Sequence, residues 1–142
     1  AISSYQSALS LNESNTAVRV NLAAAMHSAG QIADATQEYQ KVLAAEPDSM
    51  DAANNLAWIL ATTTDERLRD AAQALRLAQS VVDCDDGRQP STLDTLSVAY
   101  AATGDRESAI RIARVALQIA QLRQDESLAE KISERLRRYE QE

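Results

Sequence analysis

Apolar residues along the chain recur at helical spacing in eight separate segments. Within each segment they fall three or four residues apart, so that one stripe of an α-helix is apolar and the remainder polar. Segment 31–45, for example, places Ile32, Ala35, Tyr39 and Val42 on one stripe. The predicted helices span about 1–11, 16–29, 31–45, 48–62, 69–83, 90–103, 105–123 and 125–140.

The residues between these segments are typical of helix ends. Asn15 and Asp125 precede helices and can act as N-caps. Gly30 follows a helix, where a left-handed residue is expected. Pro47 closes the third helix, and Pro90 suits the first turn of the sixth. The local signals therefore agree with the periodicity.

The chain also repeats itself with a period of thirty-four residues. Tyr5 recurs as Tyr39, and the Asn-Leu-Ala run at 21–23 recurs at 55–57. Beyond residue 60 the spacing stretches, and Leu56 to Leu96 spans forty residues. Periods in this range indicate stacked supersecondary units. Such stacks form long concave surfaces that bind other proteins.

The repeated positions carry a family resemblance. Seven of them in segment 15–47 follow the spacing of a known helical repeat: Arg19, Leu22, Ala23, Met26, Ala35, Tyr39 and Pro47. They resemble tetratricopeptide repeats. The resemblance extends to segments 48–86 and 90–121, while 1–12 resembles the second helix of a truncated repeat. It implies a single all-α domain over 1–142, a right-handed superhelix of antiparallel helix pairs, ended by a capping helix at 125–140.

The resemblance further implies that the first helix of each pair lines a concave groove. The predicted partner-binding residues are Val20, Asn21, Ala24, His27, Asp51, Asn54, Asn55, Trp58, Asp94 and Val98. Asparagine amides can both donate to and accept from a peptide backbone. Trp58 could be a binding anchor or could pack between helices. These first helices hold no lysine, and Arg19 is expected on their packing side, which argues against a clamp for a C-terminal carboxylate.

Composition narrows the class of protein. The chain has 27 alanines, 3 glycines, 2 prolines and no phenylalanine, which favours helices. Its net charge of −7 argues against binding to nucleic acid or anionic lipid. No apolar run approaches the length of a membrane span, so no membrane insertion is expected.

Candidate catalytic and metal-binding chemistry is sparse. One histidine, His27, and one cysteine, Cys84, cannot supply the ligands of a zinc site. Asp83 to Gln89 is interpreted as a solvated acidic loop, and Arg135, Arg137 and Arg138 as a solvated face. We expect no catalytic residue, no cofactor and no metal.

The leading hypothesis is a non-enzymatic module that binds a peptide or protein segment in its groove. A second is a structural or regulatory arm of a larger bacterial enzyme, because the chain opens inside a helical pattern and is interpreted as a piece of a longer protein. A third is self-association through residues 1–11, where Ile2, Tyr5 and Leu9 would be left uncovered.

Overall fold

A computed structural model describes residues 1–141, and these residues form α-helices joined by short connections. The eight predicted helices are confirmed, with ends that differ by one or two residues. They are α1 (Ile2–Leu11), α2 (Thr16–Ser28), α3 (Ile32–Ala45), α4 (Met50–Thr62), α5 (Ala71–Asp85), α6 (Pro90–Ala102), α7 (Arg106–Leu122) and α8 (Glu126–Gln141).

The predicted caps form as expected. Asn15 accepts a hydrogen bond from the backbone N–H of Val18 at 3.1 Å, and Asp125 accepts one from the N–H of Leu128 at 3.2 Å. Gly30 adopts a φ of +83° beyond the end of α2, a conformation that side chains disfavour. These contacts satisfy backbone groups that a helix end leaves without partners.

The packing order of the helices produces a curved molecule. Consecutive helices pack against each other along the whole chain, and α2, α4, α6 and α8 also contact one another in sequence. Within residues 1–141, no comparable contact joins α3 to α5 or α5 to α7. The even-numbered helices therefore lie closer together than the odd-numbered ones. The result is an all-α helical repeat superhelix whose concave face is the surface of α2, α4, α6 and α8.

Small residues lie where helices cross closely. Ala23, Ala35, Ala57, Ala74 and Ala109 are all fully buried. Without a long side chain, these positions let backbones approach, and larger residues fill the remaining space. The larger buried side chains include Tyr39, Leu56, Leu96 and Ile132.

The structure at the end of α5 differs from the prediction. Residues 83–89 were expected to form a solvated loop, but α5 continues through Cys84 to Asp85. Asp85 accepts a hydrogen bond from the N–H of Gly87 at 2.8 Å and another from the Thr92 hydroxyl at 2.5 Å. Its carboxylate therefore joins the end of α5 to the start of α6.

Candidate functional site on the concave face

The predicted groove residues of α2 lie at the open end of the concave face. Asn21 and Ala24 are exposed, while Val20 and His27 are half-buried. Val20 packs against the main hydrophobic cluster. This helix therefore offers a shallow, mostly small and polar surface.

The predicted groove residues of α4 lie deeper. Asp51 is exposed at the start of the helix, and Asn54, Asn55 and Trp58 are half-buried. Burial raises the pKa of Tyr39 on α3, and the side chain of Asn55 opposes that rise through its contact with the phenol. Asn55 thus lies near the Tyr39 phenol and is itself half-buried.

The predicted residues on α6 are largely covered. Asp94 is 4 % exposed and Val98 is 7 % exposed. α8 packs against α6 here, but Val98 and Asp94 still line recesses of the concave face, so their part in the binding groove stays a prediction. The most exposed part of the groove runs along α2 and α4.

Arg135 makes the main polar contact between α8 and α6. Its Nε donates to Oδ1 of Asp94 at 3.0 Å, and its Nη2 donates to Oδ2 of the same carboxylate. The side chains of Arg135 and Asp94 are 17 % and 6 % exposed. The interpretation of Arg135 as part of a solvated face is therefore wrong: its planar guanidinium pairs with a carboxylate 41 residues earlier.

The same guanidinium also covers Trp58. The Cζ atom of Arg135 lies 5.1 Å from the centre of the Trp58 ring, within the range of a cation–π contact. Trp58 packs against the main hydrophobic cluster as well. The interpretation of Trp58 as a packing residue is therefore supported, and because the residue is only half-buried and lines the concave face, its role as a binding anchor stays a prediction.

The pKa of Asp94 is shifted by the surroundings of its side chain. Removal from water raises the pKa of Asp94, and Arg135 and Lys131 oppose the rise by their positive charge. A carboxylate in this position depends on its counterion, because a buried charge without a partner is costly.

α8 brings a basic stripe to the concave face. Lys131, Arg135 and Arg138 lie at helical spacing on one side of α8, and Glu134, three residues from Lys131 and four from Arg138, borders this stripe. The expected lack of lysine concerned α2, α4 and α6 alone, and Arg19 of α2 pairs with Glu38 of α3 on the packing side. The helical spacing of the basic residues at 131, 135 and 138 is the sequence feature that could have revealed this stripe.

A cleft of about 540 Å³ lies where α4, α6 and α8 meet. We call it the basic cleft, and its principal lining residues are Trp58, Arg69, Arg135, Arg138 and Tyr139. Arg69 comes from the lengthened connection between α4 and α5. That connection folds back onto α4, because the N–H of Asp70 donates to the carbonyl of Leu60 at 3.1 Å.

A smaller recess of about 280 Å³ adjoins it on the other side of Arg135. Asn54, Asn55 and Lys131 contribute to its lining. The side-chain oxygen of Asn54 is buried and accepts no hydrogen bond from residues 1–141. An unsatisfied buried oxygen is a local cost to stability.

The far end of α8 is anchored on α7. Arg106 donates through Nε to the carbonyl of Tyr139 and through Nη2 to the carbonyl of Glu140 at 2.8 Å. A cation at a helix C-terminus satisfies free carbonyls and opposes the negative end of the helix dipole. The position of α8 over the concave face is therefore fixed at its centre by Arg135 and at its end by Arg106.

The described part of the chain gives little support to metal chemistry. No group of three or more histidine, cysteine, aspartate or glutamate side chains there is arranged to hold a metal ion. His27 lies half-buried on α2, and Cys84 is exposed in the last turn of α5. None of the described helices is both long and apolar enough to cross a bilayer.

Comparisons with known proteins agree with this architecture. A sequence model of the tetratricopeptide repeat family matches residues 1–59. Residues 1–59 therefore have the sequence pattern of tetratricopeptide repeats. A search of curated proteins gave no significant match.

Solved structures extend the likeness to the whole fold. A thermophilic tetratricopeptide repeat protein of Thermus thermophilus is similar with a TM-score of 0.72 and 17% identity, over 92% of this chain and 70% of that one. MamA gives a TM-score of 0.65 at 14% identity, over 99% and 85%. A tetratricopeptide repeat protein from Parabacteroides merdae gives 0.65 at 16% identity, over 96% and 57%.

These similarities show the fold of the chain. The chain has the fold of tetratricopeptide repeat proteins, which generally mediate protein–protein interactions and generally act as non-catalytic scaffolds. The division of the helix pairs into repeats at 15–47, 48–86 and 90–121 stays a prediction.

Proposed function

We propose that this chain is a non-enzymatic interaction module that binds a peptide or protein segment on its concave face. One observation carries the proposal: Trp58 is half-buried at the border between the open groove of α2 and α4 and the covering helix α8. Tryptophan is enriched among the residues that dominate binding energy, since it combines a large apolar surface with a polar N–H group.

The surroundings of Trp58 support this role. Asn54 and Asn55 lie about one helical turn before it and offer amide donors and acceptors. Asn21 is exposed on the neighbouring helix. An extended or helical segment lying along α2 and α4 would therefore meet polar groups first and an aromatic side chain at its deeper end.

Selection from a displayed random-peptide library, followed by calorimetry on the selected peptides, tests the proposal. Trp58→Ala and Asn55→Ala should each weaken binding by about tenfold or more, as expected for the loss of a dominant contact. Val115→Ala on α7, whose side chain is 42 % exposed, serves as the control and should leave affinity unchanged.

Circular dichroism must first show that each variant is folded. Peptides that bind Trp58→Ala and Asn55→Ala as tightly as the unaltered chain would place the binding surface elsewhere. Asn55→Ala keeps the test decisive if Trp58→Ala does not fold, because Asn55 lies outside the main hydrophobic cluster.

Self-association through residues 1–11 is a second candidate. Leu9, which was expected to be uncovered, is buried, but Leu11 is 89 % exposed, and Ile2 and Tyr5 are only half-buried although they pack on the main cluster. Concentration-dependent sedimentation that Leu11→Ser reduces would support it, whereas a strict monomer would exclude it.

A further inference from the structure

The distribution of charge around the basic cleft differs from that of the chain as a whole. The net charge of the chain is −7. The lining of the basic cleft nevertheless includes three arginines, Arg69, Arg135 and Arg138, and no carboxylate. A positive recess on an acidic surface selects negative ligands by local attraction, because the rest of the molecule repels them.

The three guanidinium groups differ in the contacts that they make. Arg135 is engaged by Asp94 and lies against Trp58, so it fixes the wall of the cleft. Arg69 and Arg138 are exposed, and neither forms an ion pair with a carboxylate of residues 1–141. Their donors remain available for an acceptor within the cleft.

Arginine is well suited to such an acceptor. Its planar guanidinium can donate two parallel hydrogen bonds to a carboxylate, which adds geometric selection to the charge. Tyr139 also lines the cleft, and because burial raises the pKa of its phenol, it remains a neutral hydroxyl. Trp58 offers apolar contact to the methylene groups that precede a side-chain carboxylate.

We propose that the basic cleft binds an acidic peptide segment, with a glutamate or aspartate side chain of the partner between Arg69 and Arg138. This inference rests on the proposed function and specifies the chemistry of the partner. The size of the cleft, about 540 Å³, accommodates one or two side chains of the segment while its backbone lies along α4.

The test uses a fluorescently labelled hexaglutamate peptide and measures its affinity for the chain by anisotropy. A hexaglutamine peptide of the same length is the neutral comparison, and inorganic phosphate is the competing small anion. Hexaglutamate should bind at least about tenfold more tightly than hexaglutamine, with an affinity that falls as salt is added.

A pair of double variants separates the local contact from the overall charge. Arg69→Gln with Arg138→Gln should weaken hexaglutamate binding by about tenfold or more. Arg76→Gln with Arg137→Gln removes the same charge from exposed positions on α5 and α8 that do not line the cleft, and should change affinity by less than about threefold.

Three results would overturn the inference. These are equal losses in the two double variants, no preference for hexaglutamate over hexaglutamine (including no binding of either), and displacement of hexaglutamate by phosphate at equal concentration.

The proposed function would survive each of these results if library-selected neutral peptides still depended on Trp58 and Asn55. Conversely, selected peptides that ignore both residues would refute the proposed function even if hexaglutamate bound the cleft.

Discussion

At the scale of single residues, the pair formed by Asp94 and Arg135 determines the shape of the concave face. Asp94 is buried on α6, and Arg135 reaches it from α8 with two donors. The pair desolvates two charges, so its net contribution to stability is small, but the loss of either partner leaves an uncompensated charge. We expect the pair to specify where α8 lies more than it stabilises the fold.

Removal of the cation alone should be strongly destabilising. Arg135→Gln leaves ionised Asp94 buried, and we expect the free energy of unfolding at neutral pH to fall by about 3–5 kcal/mol. Urea denaturation measures the change. The double variant Asp94→Asn with Arg135→Gln is the control and should recover part of the loss, because no buried charge remains.

The same variant should respond to pH in a defined direction. Burial already raises the pKa of Asp94 against the opposing charge of Arg135, and Arg135→Gln removes that opposition. A raised pKa in the folded state means that the folded chain takes up the proton first, so stability is gained as the pH falls through that value. The deficit of Arg135→Gln should thus shrink on acidification, and a constant deficit would contradict the role given to Asp94.

Whether the sequence predicts the contacts of a residue depends on how far along the chain its partners lie. Asn15, Gly30 and Asp125 were predicted correctly because a cap depends on neighbours within one turn. The sequence does not reveal the contact of Arg135, because its partner lies 41 residues away, on a helix that only the assembled superhelix brings beside it. The sequence predicts a loop at Cys84, because nothing in its neighbours shows that the left-handed residue ending α5 is Asp86.

At the scale of elements, α8 combines two adjacent stripes. Ile132 is fully buried within a second hydrophobic cluster that includes Ala113 and Ala116 of α7. Beside this apolar stripe runs the basic one of Lys131, Arg135 and Arg138. The sequence predicted the helix and its apolar face, but which of its polar faces would meet the groove depended on the packing angle against α6 and α7.

Truncation of the apolar stripe should loosen the helix. Ile132→Ala removes buried methyl and methylene groups and should cost about 2–5 kcal/mol in the free energy of unfolding. Val115→Ala, at a position 42 % exposed on α7, should cost less than about 0.5 kcal/mol. Chemical denaturation of both variants measures the difference, and equal costs would mean that α8 is not docked as described.

Trp58 provides an independent signal in the same experiment. It is the only tryptophan of the chain, and Arg135 of α8 lies over its ring. If Ile132→Ala lets α8 separate from the concave face, the emission of Trp58 should shift to longer wavelength before the main unfolding transition. Val115→Ala should show a single transition.

At the scale of the whole molecule, close packing of the even-numbered helices creates the concave face, and α8 limits it. The all-α superhelix was implied by the resemblance to tetratricopeptide repeats and is confirmed. The predicted groove residues of α2, α4 and α6, however, include no lysine or arginine. The structure leaves an open part along α2 and α4 and adds a basic end from α8.

The central claim is that the concave face is the binding surface, and amide chemical-shift mapping tests it most directly. A library-selected peptide is titrated into isotopically labelled chain. We expect the largest shifts at Asn21 on α2, Asn55 and Trp58 on α4, and Lys131 on α8, with small changes at exposed positions of α3, α5 and α7 such as Gln40, Arg76 and Val115. Shifts concentrated on α3, α5 and α7, with Asn21, Asn55 and Trp58 unmoved, would contradict the account.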